Sequence, residues 1–194
     1  RDCSFEKCNS KKDVGVVYLE GFNANVDNCI FTECKSTNDV GVIFLRSSNS
    51  AVKNSTFRNS SGNNYGVILI ERDNNSIMGC SFENSISTGS FAPITISGDK
   101  NAIMDCSFKS SRSGYNGGAV YVQGNDTTIM NCSFEDSKAE YFGGAVFMYG
   151  DYNNVVECSF NNSYALQYVG AIYLQGMYCN VVYCNFKNSA SDYF

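Results

Sequence analysis

The sequence predicts an all-β fold, a parallel β-helix of about seven coils, because one pattern recurs every 26 residues along all 194 residues. The clearest marker is the phenylalanine of a Cys-Ser-Phe motif, which returns after 26 residues in six steps and after 25 in one. A glycine that begins an apolar run and an aliphatic residue three positions before the cysteine keep the same spacing. The marker phenylalanines are Phe5, Phe31, Phe57, Phe82, Phe108, Phe134, Phe160 and Phe186.

Each coil contains three short apolar runs, and each run predicts one strand. The first run is typified by "GAVFM" at residues 144–148 and is rich in β-branched and aromatic residues. Strict alternation along a strand turns Gly144, Val146 and Met148 inward and Ala145 and Phe147 outward. Turn residues fill the gaps between runs, and no helical period is present. The predicted outward positions equivalent to Ala145 are Val16, Val42, Val67, Pro93, Ala119 and Ala171.

The second run is a pair such as "IM", the third is "CSF", and one residue separates them. This residue is Asn, Asp or Gly in most coils, and these types tolerate left-handed backbone angles. We therefore predict a sharp one-residue corner, for example at Asn131, with Cys132 and Phe134 pointing into the core after it. The predicted corners are Asp2, Asn28, Asn54, Gly79, Asp105, Asn131, Glu157 and Tyr183.

Seven of the ten cysteines share one phase of the repeat, so we expect them to stack inside the helix as reduced, small apolar side chains. Strands about 4.8 Å apart hold Cβ atoms farther apart than the roughly 3.8 Å of a disulfide. Cys8 and Cys34, each three residues after a phenylalanine, are the one pair for which we consider a disulfide. The chain has no His and no CxxC motif, so no zinc site is predicted.

Composition narrows the range of partners. The net charge of −5 provides no basic stripe, so no nucleic-acid partner is expected. No segment resembles a membrane span, and no cofactor is predicted. Residues 1–194 are expected to form a single β-helix domain. Because the chain starts within one third run and stops after another, without polar caps, we expect a fragment of a longer surface protein that adjoins neighbouring domains of the same chain.

Outward-facing aromatic residues concentrate in the last three coils. We call this set the aromatic strip. It consists of Tyr115, Tyr121, Tyr141, Phe142, Phe147, Tyr168 and Tyr173. One interpretation is a ligand-binding surface, with rings stacking on sugars or on apolar side chains of a partner. The alternatives are ring stacking that stabilises the sheet and coverage by a neighbouring domain.

No catalytic residues are predicted, because the outward positions of the first run carry no titratable acid or base other than tyrosine. Outward charges of the third run alternate in sign, which is typical of a solvated face. A column of turn residues, Asp73, Asp99, Asn125 and Asp151, offers oxygen ligands for Ca²⁺, but turn chemistry alone explains it, so no metal site is predicted. Among the N-x-S/T sequons, Asn74 and Asn125 are the favoured glycosylation acceptors.

Repeats reading "NCSF" and then "GGAVY" resemble the right-handed, single-stranded parallel β-helix repeats of large cell-surface adhesin-like proteins, especially those of methanogenic archaea. The "GGAV" at 117–120 and 143–146 is also distantly similar to chlamydial polymorphic outer-membrane proteins, whose F-x-x-N motif is replaced here by F-x-N-S. The fold is shared with pectate lyases and polygalacturonases, whose outward acidic clusters have no counterpart in this chain. The resemblance covers all 194 residues and implies an extracellular, cell-surface protein that functions in attachment.

Three functional hypotheses follow. The first is a non-catalytic adhesin-like stalk and platform that binds a surface glycan or a protein on another cell. The second is a polysaccharide lyase or hydrolase with acidic residues in the turns, and the third is a purely structural spacer.

Overall fold

The computed structural model describes residues 1–193 and confirms the parallel β-helix of about seven coils. Strands of adjacent coils pair in parallel and in register, so that Phe108 stands beside Phe134 and Phe134 beside Phe160. Four sheets run along the length of the coil. No helix capable of spanning a membrane occurs within residues 1–193.

Sheets 1 and 2 are built from the first and second apolar runs of each coil, and each has seven strands. The strands of sheet 1 are Val17–Phe22, Ile43–Ser48, Ile68–Ile70, Ile94–Ile96, Val120–Gln123, Val146–Tyr149 and Ile172–Gln175. The strands of sheet 2 are Asn25–Asp27, Ala51–Lys53, Ser76–Met78, Ala102–Met104, Thr128–Met130, Asn154–Val156 and Asn180–Val182.

Sheet 3 contains the Cys-Ser-Phe motifs, and its eight strands are Ser4–Glu6, Ile30–Thr32, Thr56–Arg58, Ser81–Glu83, Ser107–Lys109, Ser133–Glu135, Ser159–Asn161 and Asn185–Lys187. Sheet 4 was not predicted, and it raises the number of strands in a coil from three to four. Its eight two-residue strands are Asn9–Ser10, Lys35–Ser36, Ser61–Gly62, Ile86–Ser87, Arg112–Ser113, Lys138–Ala139, Tyr164–Ala165 and Ala190–Ser191.

Residues with positive φ make the corners between these sheets. All eight predicted corners have this conformation, including Glu157 at 53° and Tyr183 at 55°. Side-chain hydrogen bonds between coils support them, such as the one that Asn131 Nδ2 donates to Asp105 Oδ1 at 2.7 Å. A second set of corners, for example Asn162 at 55°, ends the strands of sheet 3 and turns the chain into sheet 4.

A ladder of phenylalanine rings fills the core. Phe31, Phe57, Phe82, Phe108, Phe134 and Phe160 are fully buried. Successive rings from Phe5 to Phe186 lie 4.7–5.0 Å apart and within 8° of parallel. The six inner positions of the phenylalanine column therefore have equal environments, as the spacing predicted.

One prediction about the first run is wrong, because the position of Ala145 faces the core. Val42, Val67, Ala119 and Ala145 are fully buried there, and Val16, Pro93 and Ala171 are covered as well. The N–H groups of Ala145 and Val146 both donate to the carbonyl oxygen of Ala171, at 2.9 and 3.0 Å. One carbonyl oxygen thus accepts two consecutive N–H groups, as in a β-bulge, and most coils repeat this feature in register. Both side chains point inward.

All ten cysteines carry free thiols. The predicted column is buried from Cys29 to Cys158, and only the members in the end coils, Cys3 and Cys184, are less covered. A hydrogen bond with the Cys132 thiol, together with burial, raises the pKa of Cys106 to about 12. Cys8 and Cys34 lie in adjacent coils as free thiols, and a disulfide between them under oxidising conditions stays a prediction.

We expect iodoacetamide at about pH 8 to modify Cys3 in the folded protein and to leave Cys106 unmodified, since only thiolates react. The pKa of Cys106 in the folded state lies above the ordinary 9.0, so folding favours the protonated thiol. The resulting stabilisation of the folded state is complete below pH 9 and is lost as the pH rises towards 12. Peptide mass spectrometry measures the labelling, with guanidinium-unfolded protein as the control. Labelling of Cys106 at the rate of Cys3 in folded protein would contradict this prediction.

Candidate functional site

The aromatic strip is built in two layers on the outer face of sheet 1. The inner layer consists of Tyr121, Phe147 and Tyr173, which stand in register on adjacent strands. Their rings stack 5.0 Å apart and nearly parallel. The bulge at Ala145 does not disturb this row, because alternation resumes at Val146 and turns Phe147 outward.

The connection that precedes each first run lays an outer layer of rings over the inner one. The Phe142 ring lies 4.9 Å from the rings of both Tyr168 and Tyr173 and 6.3 Å from that of Phe147. The rings of Tyr115 and Tyr141 are 4.4 Å apart. The Tyr168 N–H donates to the Tyr141 carbonyl oxygen at 2.9 Å, so this pair adjoins the other five rings and the seven residues form one surface.

The two layers differ in exposure. Tyr115 is 42 % exposed and Tyr168 is 37 % exposed, so these two rings are the most accessible of the strip. Tyr121, Tyr141, Phe142 and Tyr173 are half-buried. Phe147 is only 8 % exposed because Phe142 covers it, so it supports the surface without being available to a ligand.

Two rings that the repeat pattern did not identify as part of the strip, Tyr65 and Phe91, extend it towards the middle of the helix. The Tyr65 and Phe91 rings stack 4.7 Å apart, and Phe91 meets Tyr121 edge-on at 5.0 Å. Both residues immediately precede the marker position that begins the first run. Val14 and Val40 occupy the same place in earlier coils, so an apolar residue before this marker is the signal that identifies them.

The electrostatic setting of the strip favours neutral, hydrogen-bonding phenols. Burial, followed by the neighbouring Tyr65, Tyr115 and Tyr149, raises the pKa of Tyr121. Its phenol therefore stays protonated at neutral pH and available as a donor. The sequence contains no Lys or Arg from residue 139 to residue 186, so the last two coils of the strip carry no cationic side chains.

The carboxylate column in the turns forms part of the scaffold. Asp99 Oδ1 accepts the N–H of Asn125 at 2.7 Å, and Asn125 Oδ1 accepts the N–H of Asp151 at 2.8 Å. Asp73 makes the same contact with the N–H of Asp99. Turn chemistry thus explains the column, and within residues 1–193 no three His, Cys, Asp or Glu side chains are grouped to hold a metal ion.

The charged face of sheet 3 consists largely of ion pairs between coils. Arg58 lies 3.6 Å from Glu83, and Lys109 lies 3.6 Å from Glu135, with all four side chains about half-exposed. A shallow depression of about 510 Å³ lies over this face. Exposed pairs of this kind are typical of a solvated surface.

The two predicted glycosylation acceptors occupy different settings. Asn74 is exposed and has a positive φ of 57°, as at the corners. The side-chain amide of Asn125 donates to Asp99 Oδ1 at 3.3 Å, so a glycan there would replace one contact of the turn column. Glycosylation of either residue stays a prediction.

Comparison with known proteins agrees with the architecture. A family model described as "Right handed beta helix region" matches residues 40–193, which is 154 of the 194 residues. No curated protein matches the chain significantly.

Proposed function

The chain belongs to the right-handed β-helix family, and on that premise we propose that it is a non-catalytic, extracellular adhesin-like protein. Its coil serves as a stalk, and the aromatic strip contacts a glycan or a protein on another cell surface. The observation that carries the proposal is the outer layer of rings, in which Tyr115 and Tyr168 stay exposed above a buried inner layer.

The two layers separate a structural role from a binding role. Stacking along sheet 1 accounts for the inner layer, because a ring such as Phe147 gains burial from both neighbouring coils. The outer layer gains less burial and leaves Tyr115 and Tyr168 open to water. Contiguous rings with polar tips, held rigidly by a scaffold, are the kind of surface that interfaces use as anchors.

The two alternatives lack a comparable observation. A polysaccharide lyase or hydrolase requires acids or bases free to reach a substrate. One oxygen of Asp99 and one of Asp151 accept backbone N–H groups, and the charged residues of sheet 3 pair with one another. A spacer needs no exposed rings, so the cost of exposing them favours a platform.

We expect the double variant Tyr115→Ala/Tyr168→Ala to lose attachment to a glycan array or to cells by about 30-fold, the effect of removing about 2 kcal/mol of contact energy. Tyr18→Ala is the matched control, since Tyr18 is an exposed tyrosine (45 %) at the far end of sheet 1, outside the aromatic strip. Equal attachment by the wild-type protein, the double variant and the control variant would favour a purely structural spacer. Glycan cleavage that Asp99→Asn or Asp151→Asn abolishes would overturn the non-catalytic proposal.

A further inference from the structure

A second row of side chains continues the aromatic strip across the outer face of sheet 1. Gln123, Tyr149 and Gln175 stand opposite one another in adjacent coils, two residues beyond the inner row of rings. The Tyr173 hydroxyl donates to Gln175 Oε1 at 3.2 Å, which joins the two rows. Tyr149 is also close enough to Tyr121 to contribute to its raised pKa. The strip and this row therefore form one continuous surface.

This row borders a groove along the turn between sheets 1 and 2, which we call the turn groove. It consists of two depressions of about 250 and 340 Å³ that share Asn125, Tyr149 and Gly150. Gln123 lines the first depression, and Gln175 lines the second, one coil further on. The turn groove is thus a pair of similar subsites related by the repeat.

Glycine residues line both depressions of the turn groove. A Cβ atom on Gly124 would lie 2.2 Å from the carbonyl oxygen of Gly98, and one on Gly150 would lie 2.3 Å from that of Gly124. Side chains are therefore excluded from these positions by the close approach of adjacent coils.

The repeat of the groove matches an extended glycan. Equivalent rings on adjacent coils are 5.0 Å apart, which is close to the length of one sugar unit in an extended β-linked chain. A chain laid parallel to the helix axis therefore meets an equivalent position of the groove at each successive unit. Amide side chains supply donors and acceptors for hydroxyl groups, and a tyrosine ring supplies a stacking face.

Charge selects among glycans. Asp99 and Asp151 lie on the wall of the turn groove, and only their Oδ1 atoms are engaged by backbone N–H groups within the described residues. Exposed Lys100 follows Asp99 at the first subsite, whereas the stretch from 139 to 186, which supplies most of the second subsite, contains no Lys or Arg to pair with an acidic sugar. At the second subsite a polyuronate would therefore meet a carboxylate without a cationic partner, whereas neutral hydroxyl groups can donate to that carboxylate.

We propose that the turn groove binds a neutral, β-linked glycan chain that runs parallel to the helix axis, one sugar unit per coil. Tyr149 stacks on a sugar ring, and Gln123 and Gln175 hydrogen-bond to hydroxyl groups of successive units. This inference rests on the proposed function, because it names the ligand class and the path of the ligand for the surface that carries the aromatic strip.

Calorimetry tests the inference with hexamers of β-1,4-linked glucose, xylose, mannose and N-acetylglucosamine, and with hexagalacturonate as the acidic comparison. We expect at least one neutral hexasaccharide to bind, and the disaccharide of the same sugar to bind more weakly. Tyr149→Ala and Gln175→Ala should each raise the dissociation constant of this hexamer about tenfold, the scale of one lost stacking or hydrogen-bond contact. Tyr152→Ala is the matched control, because Tyr152 is similarly exposed and lies outside the groove.

The outcomes separate this inference from the proposed function. If Tyr115→Ala/Tyr168→Ala abolishes attachment but Tyr149→Ala binds hexamers normally, the groove is wrong and the platform stands. Tighter binding of hexagalacturonate would overturn the neutral class. If no hexamer binds while cell attachment still depends on the strip, the glycan groove is wrong and the proposed function stands. If no hexamer binds and cell attachment does not depend on the strip, both proposals are overturned.

Discussion

Replacing Phe134 by alanine is expected to lower the free energy of unfolding by about 3–5 kcal/mol, the usual cost of deleting a buried aromatic ring. The Phe134 ring is stacked 4.8 Å from the rings of Phe108 and Phe160 and is almost completely buried. Its removal opens a cavity against both neighbours, and regular strand pairing on each side restricts collapse into that space. Urea unfolding followed by circular dichroism measures the change.

Phe22→Ala is the control, because Phe22 is 76 % exposed at the end of a sheet 1 strand. We expect this variant to change the free energy of unfolding by less than about 0.5 kcal/mol, as is usual at the surface. In a coil that interacts only with its two neighbours, the loss at Phe134 reflects contacts along the ladder. Similar losses in the two variants would contradict the assignment of the phenylalanine column to the core.

The repeat in the sequence was sufficient to predict the coil and the corners between sheets 2 and 3, but not the corners that lead into sheets 2 and 4. A single Glu157 or Tyr183 gives no reason to expect a left-handed backbone, yet both adopt it. Their phase predicts it, because in-register pairing makes each coil copy the backbone of the last. Repetition thus supplies information that residue type lacks at these two positions.

Two kinds of feature could not be predicted. Some break the alternation of inward and outward side chains along a strand, and others are too short to show a sequence period. Sheet 4 strands are two residues long, which is too short for any period to be recognised. The bulge beside Ala145 changes the phase within a run of five residues. A buried asparagine column was also missed: Asn75 Oδ1 accepts the N–H of Ser50 at 2.9 Å, and Asn101 Oδ1 accepts the N–H of Asn75 at 2.8 Å.

The candidate site could be predicted only in part. Phase alone placed Tyr121, Phe147 and Tyr173 in one outward row, and the structure has that row. Their exposure depends on how the preceding connection folds back, which is a tertiary property that the repeat does not encode. The turn groove gave no sequence signal, because glycines and amides are also ordinary turn residues.

Replacing Gly143 by alanine is expected to destabilise the protein by about 2–5 kcal/mol, the sum of about 1–2 kcal/mol for a left-handed non-glycine residue and about 1–3 kcal/mol for overpacking. Gly143 has a φ of 63°, and a Cβ atom there would lie 2.2 Å from the carbonyl oxygen of Val146. Because the Cβ atom is fixed to the backbone and the carbonyl oxygen belongs to it, the clash can be relieved only if the connection that carries Phe142 moves. Attachment through the aromatic strip should therefore weaken as well.

Gly79→Ala separates the two causes, since Gly79 has a φ of 59°, close to that of Gly143, and the nearest atom to its Cβ position is the movable side-chain oxygen of Asn54 at 3.0 Å. That variant should lose only the conformational part, about 1–2 kcal/mol, and keep attachment unchanged. The additional loss of unfolding free energy in Gly143→Ala then measures the cost of the clash between the new Cβ atom and the backbone. A Gly143→Ala protein that is as stable as Gly79→Ala and still attaches would show that the connection can move without displacing the rings, and that this glycine does not position the aromatic strip.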